Sequence, residues 1–293
     1  MIFASDLDRT LIYSTAAIRE HHPDGMDAAM LIPVERHKDA VISYMSVKAN
    51  EWLRDLSQIA TFVPVTTRTV EQYRRIFYLS DVWQPEYAIT SNGGTVLYQG
   101  QPDPEWTAQV TAAMQHVAAP EEVMSLFQGE FAASDWIVKQ SLADGLFYAL
   151  RIERDLLPVA RIEEFRRRID SLGWEMSIQG RKLYLVPKPV NKGAALLYVK
   201  QRLAADYVAA SGDSLLDWSL LQAADYAIAP RHGELYSTYG HTDEVAFTAR
   251  AGLYASEQLL QDIYKYAVKV SACNSVMTNP DERRSQHVQA HMV

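Results

Sequence analysis

Met1-Ile2-Phe3-Ala4-Ser5-Asp6-Leu7-Asp8-Arg9-Thr10 opens the chain with a short apolar run that ends in two aspartates spaced i, i+2 and a threonine. Residues two apart on a strand share a face. Where the strand ends, both carboxylates can reach into one crevice, the place at which open α/β sheets bind ligands. Crowded carboxylates repel, and a cation, a shared proton or solvent must relieve them. A hard cation such as Mg2+ suits oxygen ligands of this kind. Asp and Thr also cap helices and close turns, so the stretch gains meaning only beside the later motifs of the chain.

The chain has 293 residues, enough for one large domain or two ordinary ones. Its 28 basic and 36 acidic residues give a net charge of -8, which argues against a nucleic-acid surface. No apolar run approaches the roughly 20 residues that span a bilayer, so no membrane partner is expected. Asp6, Asp8 and Arg9 interrupt what would be the apolar region of a secretory leader. Cys273 stands alone, which excludes an internal disulfide and makes a cytoplasmic location the expectation.

Further along, residues 13–30 lack clear periodicity and read as a loop or flap beside the aspartates. Its His21 and His22, like His37 beyond it, read as surface residues, since no Cys or acidic partner stands at zinc-site spacing. The spacing of Val47, Trp52, Leu53 and Leu56 predicts a helix over 46–59. Thr61-Phe62-Val63-Pro64-Val65 reads as a buried strand ending in Thr66-Thr67-Arg68-Thr69. That hydroxyl cluster can bind an anion at a helix start or act as a capping box with Glu71 and Gln72. Tyr87–Thr90 reads as a third core strand, followed by Ser91-Asn92-Gly93-Gly94.

Between 95 and 185 the pattern changes to an α+β module inserted into the first domain. Strands are expected at 95–99, 137–140, 146–152, 174–178 and 182–186, with helices over 104–117 and 158–172. Pro187 to Gly193 then leads rigidly into a helix over 194–203, and Lys192 near its start opposes the usual dipole preference for anions. Tyr207–Ala210 reads as a strand running into Ser211-Gly212-Asp213-Ser214-Leu215-Leu216-Asp217, whose two acids lie one helical turn apart. A last strand over 224–229 precedes Pro230-Arg231-His232-Gly233, and a helix is expected over 253–268.

Strand ends and loops thus carry, in order, a double aspartate, a threonine cluster, a lysine and a second acidic pair. In this order the chain resembles the haloacid dehalogenase superfamily of phosphohydrolases. Asp6 to Thr10 match its first motif, Thr66 the second, Lys192 the third and Gly212 to Asp217 the fourth. The insertion between the second and third motifs resembles the branch with a C2-type cap, which includes sucrose-phosphate, mannosyl-3-phosphoglycerate and Cof-like sugar phosphatases. The resemblance implies an α/β Rossmann-like core with parallel strand order 5-4-1-2-3 over residues 1–94 and 186–270. It implies an inserted α+β cap over 95–185 and leaves 271–293 as a polar tail.

It further implies Asp6 as nucleophile, Asp8 as proton donor, and Thr66 and Lys192 as holders of the phosphoryl oxygens. Mg2+ would lie between Asp6, the Asp8 carbonyl and Asp213, with Asp217 helping directly or through water. Leu216 stands where the fourth motif often carries Asn, and Arg9 where many relatives carry Gly. Arg9, Thr10, Thr67, Arg68, Asn92, Arg231 and His232 are candidates to meet substrate, as are Arg181 and Lys182 in the cap for an anionic group. The implied partner is a small phosphorylated metabolite, a sugar or polyol phosphate, with a protein partner left open. The implied activity is phosphomonoester hydrolysis. Its alternatives are phosphoryl transfer to another sugar, as in a mutase, and a non-catalytic module that binds a phosphorylated ligand or a partner.

Overall fold

The computed structural model describes residues 1–278 apart from 25, 132, 133 and 242. The fold is α/β. Five parallel strands, β1 (Ile2–Asp6), β2 (Thr61–Val65), β3 (Tyr87–Thr90), β4 (Val208–Ser211) and β5 (Tyr226–Ala229), run side by side as β5-β4-β1-β2-β3. All five residues of β1 are buried, as a central strand covered on both faces must be. Phe3 points to a core shared with Leu53 and Ile263 of the helices Val47–Ser57 and Leu253–Thr278. Ile2 and Ala4 face the opposite core, built with Leu196 and Val199 of the helix Lys192–Arg202 and with Leu220 and Leu221. Alternation along one strand thereby packs both layers of helices.

Two antiparallel strands, Thr95–Tyr98 and Gln101–Pro102, extend the sheet beyond β3, and Ala246–Phe247 extends it beyond β5. Thr95–Tyr98 therefore belongs to the core sheet, against the expectation that it opens the inserted module. The helix Pro104–Met114 follows it there: the Trp106 indole donates to the Gly93 carbonyl (2.9 Å) and the Tyr198 hydroxyl to Asp103 (2.9 Å).

The inserted module is a four-stranded antiparallel sheet ordered Trp174–Gln179, Lys182–Pro187, Phe147–Ile152, Ile137–Ala143. Helices Pro120–Phe131 and Val159–Asp170 cover one face, where Phe127, Phe131, Trp136 and Phe165 interlock with Leu150 and Leu183. The other face looks onto the carboxyl ends of the core strands. The sequence reading does not place Pro120–Phe131, although Val123, Phe127 and Phe131 recur every fourth residue behind a proline suited to a first turn.

Residues 13–30 also hold more structure than a flap. Ser14 caps the helix Thr15–His21, and Tyr13–Ser14 pairs with the hairpin Leu31–His37 and Ala40–Ser46 in a small sheet. At the other end the last helix runs to Thr278, ten residues past its expected stop at Val268, so it takes in the start of the expected tail; 279–293 lie outside the described residues. Among the described residues no helix is long and apolar enough to cross a membrane.

Ser91, Asn92 and Gly93 take positive φ in succession (53°, 57° and 92°), a strained run that needs its surroundings to hold it. Gly93 packs so closely on the chain leading to Lys192 that a Cβ there would lie 2.3 Å from the Asn191 carbonyl oxygen. Gly93→Ala is expected to lower the unfolding free energy by about 2 kcal/mol. Urea unfolding followed by tryptophan fluorescence measures this, and an unchanged midpoint would contradict the close approach.

Candidate active site

β1 ends at Asp6, and β1 is the middle of the parallel set, so loops from both sides converge on its carboxyl end. Asn191 caps the helix Lys192–Arg202 by accepting from the Ala194 N–H (2.9 Å), which fixes Lys192 as the first helical residue. Its ammonium is fully buried and donates to Asp6 Oδ1 (2.8 Å) and Asp217 Oδ1 (2.5 Å). Asp217 Oδ2 accepts from the Ser214 N–H (2.9 Å) and hydroxyl (2.8 Å). Thr10 donates to the second oxygen of Asp6 (3.3 Å).

Asp6, Asp213 and Asp217 each offer an oxygen within 4.8 Å of the others, and all three are buried. Burial, then the neighbouring Asp217, push the Asp6 carboxyl up to about 7, against the pull of Lys192. Burial, then Asp6 and Asp217, push Asp213 well above the carboxylate range. Burial works against a charge on Lys192, but Asp217 and Asp6 outweigh it and keep the amine protonated. Lys192, with Arg9 shared between Glu20 and Asp213 at the edge, faces three acids, and an all-oxygen donor set still short of positive charge fits a hard divalent cation. Asp217 is the most tightly held, by Lys192 and by two short bonds from Ser214, whereas Asp6 has only the longer Thr10 contact on its second oxygen and Asp213 only the 3.6 Å approach of Arg9.

Asp8 turns another way. Its carboxylate receives a bidentate pair from Arg68 (Nε to Oδ2 2.7 Å, Nη2 to Oδ1 2.8 Å), with half of its side chain still exposed. Desolvation raises the Asp8 carboxyl, yet Arg68 outweighs it and holds the group below its ordinary value. Arg68 Nη1 also donates to Glu35 (2.7 Å), a buried carboxylate on the hairpin that accepts from the Ser43 hydroxyl (2.7 Å). Sequence reasoning missed Glu35, because a glutamate on a short alternating strand reads as solvent-facing.

The remaining candidates divide. Thr66 is buried at the end of β2 and accepts from the Arg68 N–H (3.1 Å), while Thr67 and Arg68 line a cleft of about 540 Å³ between core and inserted sheet. Lys182 lines the same cleft. Asn92 donates to the Val190 carbonyl (3.2 Å) and keeps a buried Oδ1 without a partner. Arg9 is engaged by Glu20 (2.7 Å) and approaches Asp213 (3.6 Å), so it supports the acid cluster. Three candidates lie away from the cleft. Arg181 lies in the turn just before the strand Lys182–Pro187, is exposed and pairs with Glu153 (2.9 Å). Arg231 donates to the Ala249 carbonyl (3.0 Å) and stacks over Tyr236. His232 accepts from the Gly252 N–H at Nδ1 (3.1 Å), so its Nε2–H donates to the Arg9 carbonyl (2.9 Å) and holds the loop. A larger cavity of about 770 Å³ lies around Tyr73, Leu79 and Gln84, but it contains none of the acids; chemistry, not volume, marks the site.

The family described as Sucrose-6F-phosphate phosphohydrolase matches residues 1–132. No curated protein sequence matches the chain. Among solved structures, the sucrose-phosphatase from Synechocystis sp. PCC6803, in complex with sucrose and phosphate, superposes with a TM-score of 0.64 at 16% identity, covering 89% of this chain and 97% of that one. A haloacid dehalogenase-like hydrolase from Bacillus subtilis gives 0.52 at 12% identity, covering 89% and 90%. A sugar phosphatase of HAD subclass IIB gives 0.55 at 14%, covering 89% and 98%. The chain shares the fold of these haloacid dehalogenase-like hydrolases and sugar phosphatases. Its amino-terminal part is similar in particular to the sucrose-6F-phosphate phosphohydrolases.

Removing the cation buried among the acids leaves their charges uncompensated. Lys192→Met is expected to cost about 3 kcal/mol of stability in the absence of divalent ions, measured by urea unfolding with a chelator present; a loss under about 1 kcal/mol would show that the amine does not compensate them. Burial also lowers His232 to about 4. A group depressed on folding stabilises above its unfolded value and loses that contribution as pH falls. Between about pH 6.5 and pH 4 the wild type should therefore lose more stability than His232→Gln, as read from paired thermal melts.

Proposed function

We propose that the protein is a Mg2+-dependent phosphomonoesterase that acts on a small phosphorylated sugar through an aspartyl-phosphate. The observation that carries this reading is the buried Lys192 bridging Asp6 and Asp217, with Asp213 in reach of both. The similarity of residues 1–132 to sugar-phosphate phosphohydrolases supports the substrate class.

Asp6 attacks phosphorus; a bond from its carboxylate oxygen forms as the ester P–O bond breaks. Asp8, once released by Arg68 and protonated from solvent, gives that proton to the leaving oxygen. A water then attacks the phosphorus, the Asp6–phosphorus bond breaks, and the water's proton returns to Asp8. Lys192 and Thr66 hold the phosphoryl oxygens through both steps. Asp6, the Asp8 carbonyl and Asp213 would hold Mg2+, while Asp217 and Ser214 fix the lysine. When bound, the ion supplies the positive charge that lets a carboxylate approach a phosphate dianion. Asp8 has to exchange the Arg68 guanidinium for the leaving oxygen, and Glu35 gives that guanidinium a second carboxylate on which to stay.

Asp6→Asn is expected to reduce hydrolysis of p-nitrophenyl phosphate by at least about 10³-fold while keeping the circular dichroism spectrum. Full activity in that variant would remove Asp6 as nucleophile. Mg2+ should raise the melting temperature of the wild type, by the equivalent of about 2.7 kcal/mol at a hundred times its dissociation constant. Asp213→Asn should abolish that rise, and an undiminished rise would place the ion elsewhere.

A further inference from the structure

Arg151 stands directly opposite Lys139 on one neighbouring strand and Lys182 on the other. Directly opposed residues project from the same face of a sheet. Here that face also carries Ser141, Ala149 and Tyr184, while Leu150, Ile152 and Leu183 fill the aromatic core behind it. Lys139, Arg151 and Lys182 line the cleft opposite Asp8, Thr67 and Arg68.

Like charges opposed across strands destabilise a sheet, and three in one rung need an anion. Among the described residues no carboxylate forms an ion pair with any of the three. Most acids around them are engaged elsewhere: Asp8 by Arg68, although it also attracts Lys182 across the cleft, Asp144 by the Val70 N–H and the Ser91 hydroxyl, and Glu153 by Arg181, while Glu71 lines the core wall. Cations elsewhere in the module behave differently. Arg161, Arg166, Arg181 and Lys188 pair with Glu130, Glu163, Glu153 and Asp170. The unpaired rung is therefore local to the cleft.

Building on the phosphatase reading, we propose that Lys139, Arg151 and Lys182 form a subsite for a second anionic group, a carboxylate or another phosphate, carried by the phosphorylated sugar. Lys192 and Thr66, buried at the core strand ends behind the wall that carries Asp8, Thr67 and Arg68, serve the phosphoryl group that is cleaved, so the rung is free for a different charge of the same molecule. The adjoining rung, with hydroxyls of Ser141 and Tyr184, lies beside it and suits the sugar between the two anions.

Matched pairs of probes test this: fructose 1,6-bisphosphate against fructose 6-phosphate, and 6-phosphogluconate against glucose 6-phosphate. The wild type should favour the doubly anionic member of at least one pair by about tenfold or more in kcat/KM, and which pair responds separates phosphate from carboxylate. The preference should shrink at least about fivefold in Arg151→Gln and weaken with added salt. It should persist in Arg167→Gln, on the exposed helix behind the sheet. Calorimetric binding of the same probes to Asp6→Asn should give the same ordering without turnover, so a failed phosphatase reading is distinguishable from a failed subsite. Equal affinities within both pairs, or a preference untouched by Arg151→Gln, would overturn the subsite.

Discussion

A buried ammonium held between two buried carboxylates, with a third beside them, is the constraint around which this molecule is arranged. Taking such charges out of water is costly unless geometry and further hydrogen bonds repay it. The fold supplies both. Asn191 sets the first turn of the lysine's helix, Ser214 saturates the outer oxygen of Asp217, and Thr10 reaches the outer oxygen of Asp6. Each of these supports comes from a different strand end. The cluster can form only after a parallel sheet has brought the start and the late part of the chain side by side.

That requirement explains where close packing is tightest. A Cβ on Gly193 would meet the Ser219 carbonyl oxygen at 2.2 Å, and one on Gly212 would meet the Asp217 side chain at 2.4 Å. The first presses the start of the lysine's helix onto the segment that follows Asp217, and the second folds the turn carrying Asp213 onto Asp217 itself. The Ser5 and Ser211 hydroxyls, 2.7 Å apart, join β1 to β4 immediately before the acids begin. Polar contacts and missing side chains together take the backbone to distances that ordinary residues would prevent, and the small separation of the acids is the result.

Much of this was legible in the sequence. The apolar run that forms β1, the strand before Thr66 and the turn around Gly212 each announce themselves locally, and their order along the chain identifies the core. Asp6, Lys192 and Asp213 meet as their positions imply. What the sequence hid depends on register or on unusual burial. Glu35 sits where alternation suggests solvent, yet it is buried under Arg68. Lys139 and Arg151 gain meaning only when two strand registers place them beside Lys182. Arg181 and Lys182 look equivalent as neighbours, but Arg181 stays in the turn against Glu153 while Lys182 opens the strand that lines the cleft. Thr95–Tyr98 reads as part of the insertion because its pattern is that of any half-buried strand; its true partner is set by the short reversal at Ser91 to Gly94.

The inserted sheet shows how one periodicity serves stability and recognition together. Along Phe147–Ile152, residues 148, 150 and 152 complete an aromatic core under two helices, while 147, 149 and 151 look into the cleft. The first set must be apolar for the module to fold. The second is released from that demand near the mouth of the cleft, and there it carries charge. A slip of one residue would exchange the two sets, burying Arg151 and exposing Leu150, so the packing that stabilises the module also holds its cations toward Asp8. Register therefore links the aromatic core of the insertion to the chemistry across the cleft. Residues far from any reacting atom, such as Phe127 and Phe165, act on that cleft by determining which face of the sheet looks into it.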